Sequence, residues 1–232
     1  TLTAGQNHTT YGDAAHAIHA EILRGKLAAM SKARWLAPFI NLGHFVDHLA
    51  MLVFPTVVLA LAREWDRPYA ELLPLTLGGF IAFGAFSIPS GWLADRWSRF
   101  GMMVVFFFGI GAASMLTGLA RTPFEIAAGL TLIGAFAAIY HPVGTAMLVA
   151  NASPAKLGRT LGINGVYGNM GLASSALLAG AMADTFGWRW AFIVPGVLAM
   201  AIGAMFSRLR LHSAATPAQA RPAPGRLPRA RK

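Results

Sequence analysis

Apolar residues gather along this chain in stretches of about 20, the length an α-helix needs to cross the roughly 30 Å hydrocarbon core of a bilayer. Six such stretches predict six spans, at 35–61, 72–93, 100–120, 124–148, 160–183 and 188–209. The first is too long for the core of a signal peptide and follows a polar lead, so it is expected to be retained rather than cleaved. Residues 1–34, which mix His8, His16, His19, Asp13 and Glu21 with small residues, read as a cytoplasmic N-terminal segment. Residues 35–209 form the transmembrane domain. The tail at 210–232 sets Pro217, Pro222, Pro224 and Pro228 among Ala and Arg, a composition that builds no core, and is expected to be basic and disordered.

Basic residues orient these spans. Placing the N-terminus in the cytoplasm puts 15 of the 19 Lys and Arg residues inside, and leaves only Arg63, Arg67, Arg121 and Arg189 in the outer loops. The asymmetry survives removal of the six in the tail, so both ends are expected to be cytoplasmic.

Composition agrees. The chain is 56% hydrophobic and 12% charged over 232 residues, with a mean hydropathy of +0.54. A soluble domain carries about twice that share of charge, which argues against a water-soluble enzyme. The net charge of +10 follows the topology rather than one folded surface, so no nucleic-acid partner is expected. Cysteine is absent, which excludes disulfides, thiol chemistry and Cys-ligated metal. No nucleophile elbow or phosphate loop supports an enzyme, and no cofactor is expected.

A faint internal repeat organises the spans. Gly91-Trp-Leu-Ala-Asp95 at the end of the second recurs 89 residues later as Gly180-Ala-Met-Ala-Asp184 at the end of the fifth, and Pro55 and Pro142 lie 87 apart in the first and fourth. Three helices reverse the direction of the chain, so this offset predicts two three-helix units in inverted orientation. The expected fold is an all-α integral membrane domain of six helices.

The loop Gly91-Trp-Leu-Ala-Asp95-Arg96-Trp-Ser98-Arg99-Phe100 resembles the signature of the major facilitator superfamily, which stands between the second and third helices on the cytoplasmic side. Gly91 permits close helix approach, Asp95 can meet a helix N-terminus or a basic group, and Arg96 and Arg99 belong at the headgroups. Ser98 stands where the signature has glycine, and Phe100 where it has a final basic residue. Three further segments resemble the fosmidomycin-resistance branch of that superfamily: Asn41-Leu-Gly-His44-Phe-Val-Asp47-His48, Ile139-Tyr140-His141-Pro142 and the run Gly162 to Gly171.

That resemblance covers residues 35–209 and implies half of a twelve-span transporter, the N-terminal half. It implies proton-coupled efflux of small molecules or drugs by alternating access, in the cytoplasmic (inner) membrane. A homodimer, or a separate second half, is then expected against the second and fifth helices. The alternatives are a truncated or split half that does not transport but serves as a scaffold, and a metal-ion transporter. The arginine of related antiporters in the fourth helix and the proline of their fifth-helix motif are absent.

Ionisable groups at bilayer depth cost about 2.5–3.5 kcal/mol each on insertion scales, so the few present are candidates for function. Asn41, His44, Asp47 and His48 share one face of the first helix by their spacing of three and four. His141 in the fourth helix lies at a similar depth, roughly 7 Å to the cytoplasmic side of that helix's middle by rise per residue. In the resembled fold both helices line the central cavity, so His44, Asp47, His48 and His141 are expected to meet and exchange protons there. A His-x-x-Asp-His array also suits zinc or iron. Tyr140, Asn164, Tyr167 and Asn169 are further candidates for polar substrate contacts or interhelical hydrogen bonds. Pro55 and Pro142 free the carbonyls of Met51 and Ala138, a device that marks transport cavities and simple kinks alike.

Overall fold

In the computed structural model six long helices occupy the six predicted stretches: α1 (Trp35–Glu64), α2 (Tyr69–Arg96), α3 (Arg99–Gly118), α4 (Pro123–Asn151), α5 (Leu157–Phe186) and α6 (Trp190–Ser207). The structure describes residues 35–209 together with His16 and His19, which are helical and exposed. The other expectations for 1–34 and those for 210–232 lie outside the described residues. Five of the six helices are long and apolar enough to cross a membrane. The exception, α5, has 30 residues and so ample length, but glycines and two asparagines dilute its apolar content.

Local chemistry sets the helix ends. Ser98, extended at φ −170°, caps α3 by accepting the Gly101 amide at 3.0 Å, so the position needs no glycine. Thr122 caps α4 through the Glu125 amide, Pro123 follows in the first turn, and Glu125 reaches back to the Arg121 amide at 2.6 Å. At the end of α5, Gly187 takes φ 92° and ψ 153°, a conformation open essentially to glycine alone, and the turn delivers Trp188 into the core.

Pro55 and Pro142 each sit just past a break. In α1 the helix is interrupted at Val53, and Pro55 stands in the first turn of the Phe54–Glu64 segment. In α4 it is interrupted at residues 138 and 139, and Pro142 lies in the first turn of Tyr140–Asn151.

The inverted repeat appears in the packing. α3 packs chiefly on α6, α2 on α4, and α1 on α5. Exchanging the two three-helix units maps α3–α6 onto itself and α2–α4 onto α5–α1. Glycines repeat the relation: a side chain at Gly91 would meet Pro142 at 3.2 Å, and one at Gly180 would meet Thr56, the neighbour of Pro55, at 3.7 Å. Gly79 and Gly168, 89 residues apart, both abut the partner helix, at Leu130 and His44 respectively.

The core lies between α1, α3, α4 and α6, where Phe54, Phe106, Phe107, Tyr140, Phe192 and Phe206 are fully buried. Phe100 stacks on Phe206 at 4.5 Å between centroids, which accounts for an aromatic residue at that loop position. On the opposite end Glu64 ties three elements together: it accepts from Trp188 Nε1 at 2.8 Å and pairs with Arg189 at 3.0 Å, and Arg189 also donates to the Ala120 carbonyl.

α2 is the odd helix. Only 22% of its most apolar stretch is buried, against 50% in α1 and α3 and 56% in α4. Phe80, Ile81, Phe86, Ile88 and Trp92 stand exposed along it, joined by Ile163, Val166, Met170 and Leu177 of α5.

Candidate functional site

α1, α4 and α5 meet along a polar seam. Helical spacing turns Asn41, His44, Asp47 and His48 to one side of α1, and the break in α4 sets Tyr140 and His141 opposite them. Asp47 is 1% exposed and is the only acidic or basic residue fully buried among the described residues.

The imidazoles form a compact cluster. His44 Nδ1–H donates to the Asn164 carbonyl of α5 at 2.8 Å. That bond leaves Nε2 of a neutral His44 as an acceptor, and His48 Nε2–H donates to it across 3.1 Å. His141 Nε2 lies 3.5 Å from Asp47 Oδ2, and its ring meets the His44 ring edge-on at 5.2 Å between centroids. The ligand atoms of His44, His48 and His141 all fall within 4.8 Å of one another. The second carboxylate oxygen of Asp47, Oδ1, is buried without a hydrogen-bond partner.

Around the cluster stands a supporting shell. The His44 ring stacks on Tyr140 at 4.8 Å between centroids. The Tyr140 hydroxyl donates to the Ile40 carbonyl at 2.9 Å and accepts from Asn164 Nδ2 at 2.8 Å, while the same amide donates to Asn41 Oδ1 at 3.0 Å. Gly168 makes room for the imidazole, since a Cβ there would come within 2.6 Å of His44 Cε1 and Nε2. A cavity of about 150 Å³ opens beside the cluster, walled by Asp47, His48, Met51, Leu52, Phe80, Phe83 and His141. Its walls are apolar apart from the two imidazoles and the carboxylate, a setting that strengthens any charge interaction inside it.

Of the residues singled out in the sequence, His44, Asp47, His48, His141, Asn41, Tyr140 and Asn164 come together here. Tyr167 is half-buried, Asn169 is exposed, and no hydrogen bond joins either to the cluster. Five residues along a helix turn a side chain by about 140°, so Asn164 and Asn169 face different neighbours. The loop motif lies elsewhere. Asp95 takes two bonds from Arg99, at 2.8 and 3.1 Å, across the α2–α3 turn, while Arg96 lies over the Trp92 ring at 4.6 Å. Two parts of the site went unread in the sequence: the Asn164 carbonyl that orients His44, and the space left by Gly168. The glycines at intervals of three in α5 were the only signal.

Six helices in two inverted units, with broken helices and ionisable groups at their junction, define a polytopic integral membrane protein. Residues 40–231 match the Major Facilitator Superfamily, and the chain belongs to that family. It is 30% identical over 121 residues to the puromycin resistance protein of Streptomyces alboniger, covering 52% of this chain and 24% of that protein. With the multidrug resistance protein B homologue of Mycobacterium tuberculosis it shares 31% identity over 122 residues, 51% of this chain and 22% of the relative. The chain thus matches about a quarter of the length of these relatives. Its fold superposes with a TM-score of 0.64 on the crystal structure of a bacterial homologue of the human lysosomal transporter Spinster, inward-facing and unoccupied, at 14% identity, over 77% of this chain and 43% of that one.

Proposed function

We propose that the chain is the N-terminal six-helix half of a proton-linked secondary transporter, of the fosmidomycin-resistance-like kind, that exports small molecules across the cytoplasmic membrane. Both ends lie in the cytoplasm, and transport proceeds by rocking around a midplane site. One observation carries this reading: His44, Asp47 and His48 of α1 gather with His141, which follows the break in α4, beside a cavity. A buried carboxylate beside imidazoles is a set of groups able to take up and release protons. The names of the relatives, which speak of resistance to puromycin and to multiple drugs, support drug-like substrates.

A partner completes the assembly in this reading, either a second six-helix half or a second copy of the chain. It covers the exposed faces of α2 and α5, where packing of small residues rather than hydrophobicity drives association in lipid. Gly162, exposed on that face, has nothing within 4 Å.

The test is export of ethidium from cells producing the protein, with the pH gradient intact and collapsed. Parent cells should export only with the gradient, and Asp47→Asn should abolish export at unchanged abundance in the membrane. Export that ignores the gradient, or survives Asp47→Asn, would overturn the proton-linked reading.

A further inference from the structure

We propose that His44, His48 and His141 form a binding site for a divalent first-row transition-metal ion of the zinc class, with the Asp47 carboxylate balancing its charge. The geometry is already close. Two imidazole nitrogens bound to one tetrahedral zinc at about 2.0–2.1 Å stand roughly 3.3 Å apart, and His44 Nε2 and His48 Nε2 are 3.1 Å apart. The third ligand atom lies within 4.8 Å. His141, whose side chain is 42% exposed and borders the cavity, has the freedom to close that gap.

The surroundings are those of a metal ligand set. A ligating histidine characteristically donates its other ring N–H to a carbonyl or carboxylate, which fixes the tautomer and turns the lone pair toward the ion. His44 does this through Nδ1–H to the Asn164 carbonyl, while Tyr140 and Gly168 hold the ring in place. On binding, His48 carries its proton on Nδ1 and offers Nε2. Asp47 Oδ1, buried and without a partner, is the oxygen left to bind the ion or to accept from His141. A buried carboxylate facing only imidazoles leaves the seam anionic when these are neutral, and a divalent ion reverses that deficit. Imidazole donors select zinc, cobalt, nickel or copper over magnesium and calcium. The cavity gives the ion its way in.

This inference is independent of transport and is tested by binding. The full chain, untagged and in mild detergent, is equilibrated with Zn²⁺ or Co²⁺ and freed of excess metal. About one Zn²⁺ per chain should be retained, and Co²⁺ should give the visible bands of a tetrahedral site. His44→Ala and His141→Ala should each abolish retention with helix content unchanged by circular dichroism, whereas His16→Ala with His19→Ala should leave it intact. Asp47→Asn should weaken binding on the order of 10–100-fold. A parent protein that retains no Zn²⁺ and shows no Co²⁺ bands overturns the proposal, however the variants fold. So does retention that is unchanged in His44→Ala and His141→Ala.

Discussion

Two seams hold this bundle together, and they are built from opposite materials. Along α3–α6 the backbones touch: a side chain at Gly111 would lie 2.8 Å from the Gly196 carbonyl, and one at Gly196 would lie 2.8 Å from the Gly111 carbonyl. Apart from the Ser114 hydroxyl donating to the Phe192 carbonyl, that contact is apolar. Along α1–α4–α5 the helices meet instead through imidazoles, a carboxylate, two asparagines and a tyrosine. The first seam has one good arrangement, because close-packed backbones resist small displacements. In the second, each proton gained or lost rearranges donors and acceptors. The contrast separates a close-packed apolar seam from a polar, ionisable one.

The largest expected effect lies in the rigid seam. Gly111→Leu forces a side chain into the α6 backbone and should cost about 3 kcal/mol or more, read as loss of monodisperse protein in detergent. A stable, monodisperse variant would show that the seam is looser than its geometry.

Next comes a pair three residues apart on α5. Gly168→Ala pushes a methyl group toward the His44 ring and should sharply reduce gradient-dependent ethidium export while melting changes little. Gly165→Ala meets nothing within 4 Å and should leave both unchanged. Equal behaviour of the two variants would break the claim that His44 is placed by α5.

A smaller effect is expected from Asn164→Ala, which removes the side-chain bonds to Tyr140 and Asn41. Hydrogen bonds between membrane helices average about 0.6 kcal/mol, so the loss should be about 1 kcal/mol in mixed-micelle unfolding. A loss several times larger would make the polar seam structural first and functional second.

Much of this architecture was legible before any coordinates. Span length describes a chain in lipid because the bilayer tests one segment at a time, and Pro55 and Pro142 marked the breaks in α1 and α4. The face carrying His44, Asp47 and His48 followed from helical spacing. Its meeting with His141 required the resembled fold, since spacing on one helix says nothing about its neighbour. Contacts decided by tertiary approach stayed hidden: the Glu64 link to Trp188 and Arg189, the fit of Gly168 against His44, and the Tyr140 bond to the Ile40 carbonyl. Ser98 and Phe100, departures from a loop signature, became intelligible only as a helix cap and a stacking partner of Phe206.

The central claim is that His44, Asp47, His48 and His141 exchange protons as one unit. The most direct measurement is ¹⁵N NMR of histidine-labelled protein in bilayers, followed from pH 5 to pH 8, in the parent and in Asp47→Asn. The account predicts that the resonances of the three imidazoles change together as a coupled set and that this set responds differently once the Asp47 charge is removed. Imidazoles that keep one protonation state throughout, or that titrate identically in the two proteins, would contradict it.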